Sequence, residues 1–297
     1  MKTIYMMTRR NATLFFKDLG MFLTSLITPL ILLLLYATFL CNVYRDSFLM
    51  NLGDFVIEER LVNGLVAGQL FSSILAVSCV TVAFCANLLM VQDKITGARA
   101  DLLVAPVKRH HLAISYYSAT LLVTLIVAAV AALACFIYIA AVGWYLSFSD
   151  VLLILLDILL LVMFGTALSS IINYFLSTQG QGSAVGTIVS SCYGFVCGAY
   201  MPISSFAEGL RNTLAFFPGT YGTSLLRNHT LRGVFREMKD VGIPEEVIMG
   251  LRDAVDCNIY YSGNAVSQNL MYLILAATIV LLIVAFVLIN RLDKRKS

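Results

Sequence analysis

The sequence predicts an all-α polytopic membrane protein with six transmembrane helices, an N-terminal interfacial helix and a re-entrant extracellular segment before the last span. Two compositional facts indicate this class: of the 297 residues, 60% are hydrophobic and 12% are charged. The third observation is length, because a helix crossing about 30 Å of hydrocarbon needs roughly 20 apolar residues and six segments provide them. The predicted spans are 19–41, 65–91, 113–142, 151–175, 183–201 and 270–290.

Basic residues beside the spans predict the orientation, since lysine and arginine are retained in the cytoplasm. They lie before the first span, between the second and third, and after the sixth: Lys2, Arg9, Arg10, Lys17, Lys94, Arg99, Lys108, Arg109, Arg291, Lys294, Arg295 and Lys296. With six spans these segments share one face, so we expect both termini in the cytoplasm and region 202–269 outside. The net charge of +3 is not gathered into a separate patch, which indicates no nucleic-acid partner.

Residues 1–18 are predicted to form a helix lying in the cytoplasmic interface of the membrane. One face is apolar and is lined by Ile4, Thr8, Ala12, Phe15 and Leu19, whereas the other carries Arg9, Arg10, Thr13 and Lys17. The alternative is a plain positively charged flank of the first span. The domain that follows, 19–297, is a single membrane domain without room for a second, soluble one.

Loop 92–112 combines a short charged helix with a proline stop between two long apolar runs. Asp93 and Thr96 are candidate N-caps, and Pro106 prevents the helix from continuing. A helix of about two turns needs a surface on which to dock. The loop therefore predicts a mechanical input from a soluble partner; the alternative is an ordinary basic loop held by lipid headgroups.

The fifth predicted span carries small residues at every fourth position. The stripe consists of Gly182, Gly186, Ser190, Gly194 and Gly198. Small residues at this spacing let helix backbones approach closely in lipid. The contact lies either between two subunits or between two spans of the same chain.

Region 202–269 begins with a moderately apolar segment that prolines interrupt. Broken backbone at membrane depth must be satisfied by protein or water, so a re-entrant helix pair there would line a cavity or cap an exit. The residues predicted to form an apolar gate are Pro202, Phe206, Phe216, Phe217, Pro218 and Tyr221. Their alternative role is that of ordinary interfacial aromatics. Residues from Arg227 to Gly263 are predicted to form a small polar cap outside the membrane, broken at Gly242.

Asp157 is the one acid well inside an apolar run. A charge there is costly, which predicts a proton site, a cation site or a partner for substrate charge, unless the carboxylate reaches water near the external end of the span. Cys41 and Cys257 are both expected outside the cytoplasm, where a disulfide could persist.

Several kinds of chemistry are missing from the chain. It has no Gly-x-x-x-x-Gly-Lys-Ser/Thr loop, no His-Glu-x-x-His helix, no Cys-x-x-Cys pair and no Gly-x-Ser-x-Gly elbow. No catalytic residue, no metal site and no cofactor bound by this chain are predicted.

Loop 92–112 resembles the first intracellular loop of type-2 ATP-binding-cassette exporter permeases, of the drug-resistance or antibiotic-exporter-like branch. The similar positions are Asp93, Lys94, Gly97, Leu102, Leu103, Pro106, Val107 and Arg109. A second similar run, from Gly198 to Arg227, lies where that family has its re-entrant extracellular segment. Ala98, Arg99 and Ala100 depart from the Thr-Leu-Glu that the family commonly has after the loop glycine.

The resemblance implies a transport subunit without enzymatic activity of its own. It implies a coupling role for Asp93, Lys94, Gly97, Arg99, Asp101, Leu102, Leu103, Pro106 and Arg109. The implied partners are two cytosolic ATPase subunits carrying ATP and Mg, a second permease copy or paralogue, and membrane lipid, in a bacterial plasma membrane. The expected substrate is a hydrophobic or amphipathic drug, peptide or lipid. Alternatives are a polysaccharide or sodium exporter of the same family, or an ATP-independent channel or sensor.

Overall fold

The computed structural model describes residues 2–53, 55, 57–104, 107, 109–261 and 263–292. Within them the chain forms twelve α-helices and one small β-hairpin. The helices are α1 (Lys2–Lys17), α2 (Leu19–Leu35), α3 (Cys41–Leu52), α4 (Glu59–Ile95), α5 (Ala98–Val104), α6 (Arg109–Val142), α7 (Phe148–Phe175), α8 (Gln179–Val196), α9 (Glu208–Leu214), α10 (Pro218–Asp240), α11 (Glu245–Ala254) and α12 (Gln268–Leu292). The antiparallel strands are β1 (Tyr260–Tyr261) and β2 (Asn264–Ala265).

Five helical segments are long and apolar enough to cross a membrane among the described residues. They are Leu19–Leu52, Glu59–Ile95, Arg109–Val142, Phe148–Phe175 and Gln268–Leu292. The first of these joins α2 to α3 through a π-helical turn at Tyr36–Leu40. The all-α membrane architecture predicted from composition is therefore confirmed at this level.

The remaining predicted span, 183–201, corresponds to α8. This helix ends at Val196, and it is not among the segments apolar enough to cross a membrane on composition alone. Its glutamines, serines and glycines lower its hydropathy. The six-span count, the re-entrant segment and the cytoplasmic position of the termini stay predictions.

α4 lies at the centre of the bundle and contacts α2, α6, α7, α8 and α10. In its most apolar window, 94% of the residues are buried, whereas the figure is 17% for α12. A helix that is apolar on all sides is stable only when neighbouring helices surround it or lipid does. Neighbouring helices surround α4, whereas lipid would cover the outward faces of α2, α6 and α12.

Glycines bring α4, α7 and α10 into close contact. A Cβ on Gly165 of α7 would lie 2.8 Å from the Cys79 carbonyl oxygen, and one on Gly68 of α4 would lie 2.5 Å from Leu231 of α10. Helices that approach this closely have no room for a side chain at the crossing point. Two of the tight helix crossings in the bundle are therefore at these glycines.

α10 differs from the external polar cap predicted for the residues after Arg227. It is rich in polar residues, yet it is buried along most of its length against α4, α7 and α12. The external position of this stretch stays a prediction, but Arg227 is buried beside Asp256, whereas Arg232, Arg236 and Lys239 are exposed. The chain does break after α10, where Gly242 adopts φ 93° before α11 begins.

Candidate functional site

The first candidate site is the corner formed by α1, α5, the C-terminal ends of α4 and α7 and the N-terminal end of α6, which the predicted orientation would put on the cytoplasmic side. α5 is separated from α4 by Gly97, whose φ of 82° favours glycine. The predicted N-caps do not cap this helix. The Thr96 hydroxyl donates 3.0 Å to the Gln92 carbonyl, and Asp93 lies within α4, because α4 continues to Ile95.

α5 presents one face to the protein and another to solvent. Leu102 packs against an apolar cluster that includes Met7, Leu112 and Tyr116. Val104 is 88% exposed, and Asp101 is exposed as well. Pro106 and the side chain of Leu103 lie outside the described residues. The described outward face is short and mixed, which suits docking against a protein surface.

Asp93 turns inward and holds two other helices. Its carboxylate accepts hydrogen bonds from Arg10 of α1 at 2.8 and 3.2 Å, and from the Tyr116 hydroxyl of α6 at 2.5 Å. The hydrogen-bonded carboxylate raises the pKa of the Arg10 guanidinium. Asp93 therefore ties the N-terminal helix to the end of α4.

Lys94, the next residue, holds the end of α7. Its ammonium donates to the carbonyls of Asn173 at 3.1 Å and Leu176 at 3.0 Å, and to that of Tyr174. The last carbonyls of a helix have no partner within the helix and carry its negative dipole end, so a cation there is stabilising. Arg99 of α5 also approaches this corner, 5.8 Å from the centre of the Tyr174 ring.

Asp93, Lys94 and Leu102 are therefore engaged within the chain, whereas Asp101, Val104 and Arg109 are exposed. The sequence pattern placed all the predicted coupling residues in one group and did not distinguish those that contact other helices from those that are exposed. Neighbouring residues of a helix can face either the protein or the solvent. Which of them face the protein is known only when the packing of that helix against its neighbours is known.

The second candidate site is a groove of about 1170 Å³ between α2 and α8. One wall is aliphatic and aromatic, with Ile27, Ile31 and Phe39, and the other is built from small and hydroxyl side chains of α8. The described residues that line it include no Asp, Glu, Lys, Arg or His. A groove of this size exceeds what a drug-sized molecule needs, for which 300–1,000 Å³ is typical.

The predicted small-residue stripe of α8 divides between two environments. Gly182, Gly186 and Ser190 line the groove, and a Cβ on Gly186 would meet nothing within 4 Å. Gly194 faces the Tyr200 ring of its own chain, and Gly198 forms a turn at φ 74°. The close intrachain contact is thus limited to the ends of the stripe, and its middle is open.

The predicted gate residues do not form a single cluster. Phe216 is 69% exposed and contacts Tyr261, whereas Phe217 lies 5.9 Å from the Phe164 ring and 6.0 Å from that of Tyr193. Tyr221 is buried in the main core and Pro202 lines the groove. Phe206 is half-buried, and Pro218 begins α10, a position where its missing N–H costs no hydrogen bond.

Asp157 does not reach water: it is 1% exposed and hydrogen-bonded to His229 and Tyr272. These partners, and the buried pair of Arg227 with Asp256, are among the polar contacts that sequence reasoning missed. No sequence spacing indicates them, because the partners of Asp157 lie 72 and 115 residues away. Cys41 and Cys257 are both free, like the other five cysteines.

Comparison with known proteins gives one family. The model of the ABC-2 type transporter family matches residues 2–230. This range contains the corner around α5, every residue lining the groove except Ala254, and α10 as far as Thr230. No curated protein and no solved structure is significantly similar to the chain.

Proposed function

Because the chain belongs to the ABC-2 type transporter family, we propose that it is the permease subunit of an ATP-driven exporter. The substrate is a hydrophobic or amphipathic molecule such as a drug, peptide or lipid, moved out of the cell across a bacterial plasma membrane. ATP and Mg bind to a separate ATPase chain. The observation that carries the proposal is the outward face of α5. It lies next to the hydrogen bonds by which Asp93 and Lys94 hold α1, α6 and the end of α7, a pair of contacts called the clasp below.

The outward face of α5 is the proposed docking site for the ATPase. Val104 and Asp101 are exposed there, and Leu102 fixes the helix to the permease. A seven-residue helix is too short to be stable alone, so its own packing and a partner surface determine its position. Two permease chains would offer two such faces to two ATPase subunits.

Asp93 and Lys94 are the proposed transmitters of the movement. They lie immediately before the Gly97 turn, and they hold α1, α6 and α7 through hydrogen bonds with charged groups. Such bonds are stronger than neutral ones and have fixed geometry. A push on α5 is therefore passed to the ends of several helices together.

The groove between α2 and α8 is the proposed path for substrate. Its uncharged lining suits a molecule that partitions into lipid, and its aliphatic wall offers burial of apolar surface. The open middle of the α8 stripe, around Gly186, would meet a second permease copy across the path.

The first experiment tests docking. The chain is co-expressed with the product of the neighbouring reading frame, tested as the candidate ATPase, and co-purification and ATP hydrolysis are measured for wild type and for Val104→Asp. Val241→Asp is the matched control, because Val241 is 60% exposed and lies after α10, away from α5. Loss of the complex with V104D alone is expected. A stable complex with V104D would remove the α5 docking site, and no ATPase activity in any pair would favour a channel or sensor.

The second experiment tests the path. Gly186→Leu fills the open middle of the groove and is expected to abolish ATP-driven uptake of substrate into inside-out vesicles, the assay equivalent of export, while the ATPase remains bound. Gly180→Leu is the control, since a Cβ there also meets nothing and Gly180 is not a lining residue. Equal export by the two variants would place the path elsewhere.

A further inference from the structure

Asp157, His229 and Tyr272 join three helices through one buried carboxylate. The Asp157 Oδ2 atom lies 2.6 Å from His229 Nδ1, and the Tyr272 hydroxyl donates to Oδ1 at 2.6 Å. The three residues belong to α7, α10 and α12 in that order. The His229 and Tyr272 rings are nearly parallel, with centroids 6.3 Å apart. Both carboxylate oxygens are therefore occupied by side chains of other helices.

The cluster lies within the hydrophobic bundle. Asp157 is 1% exposed and His229 is 4% exposed. Asp157 is nine residues into α7, which corresponds to about 14 Å along the helix axis from Phe148. An isolated ionised carboxylate at such a site would be very costly, so its charge must be compensated nearby or removed by a proton.

The other charged groups around α10 have their own partners and do not compensate this carboxylate. Arg227 donates 2.6 Å to the Val255 carbonyl and lies 3.5 Å from Asp256. Arg232 and Arg236 lie 3.6 and 3.4 Å from Asp150, nearer the start of α7. On α11, Arg252 donates 2.8 Å to Asn228.

The neighbouring helices add no further charge. Between Leu61 and Gln92, α4 has no ionisable side chain other than Cys79 and Cys85. In α12, Tyr272 is the sole ionisable residue before Arg291. On α7 the remaining ionisable side chains are Asp150, already paired, and Tyr174 at its far end. The charge of Asp157 is therefore balanced by His229 or by a bound proton.

We propose that Asp157, His229 and Tyr272 form an intramembrane proton-binding site that fastens α10 to α7 and α12. The site holds one exchangeable proton, either on the imidazole, as an imidazolium–carboxylate pair, or on the carboxylate. With this proton the cluster has no net charge; without it one negative charge is left in apolar surroundings. When the proton is released to water, the attachment of α10 to α7 and α12 weakens.

The histidine content of the chain allows a direct test. His110, His111 and His229 are its three histidines, and the first two are exposed or near the surface at the start of α6. A His110→Gln/His111→Gln variant, labelled with ¹⁵N-histidine and reconstituted in lipid nanodiscs, reports on His229 alone. Its ring-nitrogen spectrum is recorded as the pH is raised, and backbone amide exchange of α10 is measured at the same pH values.

A single step in the His229 spectrum is expected, together with lower amide protection factors in α10 above the step, taken relative to the base-catalysed intrinsic exchange rate. Asp157→Asn, added to the same background, should move the step to lower pH because the negative charge is gone. Tyr272→Phe should move it to higher pH, since the carboxylate loses a donor and holds the proton more tightly. These opposite shifts distinguish a proton site from a simple packing contact.

An unchanged His229 spectrum across the pH range in which the protein stays folded would overturn the proposal. So would a step that neither variant displaces. If D157N does not fold, the shift of the His229 step in Y272F is sufficient to test the proposal, because this variant keeps the charges and the aromatic ring. The measurement needs no ATPase, substrate or second copy, so its outcome is independent of the proposed export function.

Discussion

Asp93 and Lys94 are adjacent in the chain but bind helices on different sides of α4. Asp93 accepts hydrogen bonds from Arg10 and Tyr116, whereas Lys94 donates to the carbonyls that end α7. Successive residues of a helix point about 100° apart, so one turn at the end of α4 holds both neighbours. This clasp places the last turn of the central helix between the N-terminal helix and the rest of the bundle.

Replacement of Arg10 by methionine should loosen α1. The Arg10 and Asp93 side chains are 34% and 7% exposed, so the variant leaves a buried carboxylate with Tyr116 as its remaining side-chain donor. We expect a loss of about 1–2 kcal/mol of stability, limited by the partial exposure of Arg10. Thermal unfolding in detergent would measure it. Arg9→Met is the matched control, since Arg9 is exposed, and an equal loss in both variants would contradict the clasp.

Replacement of Arg227 by methionine should be the most damaging single change on α10. Arg227 is 0% exposed, and its guanidinium also donates 2.8 Å to the Gly198 carbonyl at the end of α8. Breaking a buried ion pair by removing one partner typically costs about 3–5 kcal/mol. Denaturant unfolding of the purified chain is the measurement. Lys239→Met serves as control, because the Lys239–Glu245 pair is solvent-exposed on both sides, and it should leave the transition unchanged.

Gly165 is predicted to tolerate a side chain poorly, because backbone atoms of α4 lie against it. Gly165→Val would force a branched side chain against the Cys79 carbonyl and the Val80 backbone, separating α7 from α4. Overpacking of this kind costs about 1–3 kcal/mol. Gly186→Ala meets nothing and should be neutral or slightly stabilising through helix propensity. If the two variants have the same unfolding midpoint, the contact between α7 and α4 at Gly165 can widen without cost, and the prediction fails.

The cysteines should differ sharply in reactivity. Cys192 of α8 is exposed, whereas burial raises the pKa of the Cys257 thiol to about 12. Because the thiolate is the reactive form, Cys257 stays protonated and inert at neutral pH. Maleimide labelling in detergent should therefore modify Cys192 first, and Cys192→Ser should remove the fast phase. Recovery of a Cys41–Cys257 crosslinked peptide by mass spectrometry would contradict the structure.

Five of the predicted spans coincide with observed long apolar helices, because hydrocarbon length and hydropathy are properties of contiguous residues. The helix after Gly97 was also indicated locally, by its charges and its glycine. The burial of α10 was not indicated, since its polar composition resembles an exposed helix and its buried His229 and Arg227 pair with Asp157 and Asp256 from other parts of the chain. Composition alone cannot identify partners that are distant in sequence.

Contiguous stretches of sequence were enough to predict the class of the protein, most of its membrane helices and the position of α5. They were enough because apolar runs, glycine and basic flanks act locally. Helix packing sets which charged residues face inward, holds Asp93 and Lys94 against separate helices, and brings Asp157 to His229 and Tyr272. These contacts form only when helices far apart in the chain pack together and exclude water, which obliges every buried polar group to find a partner.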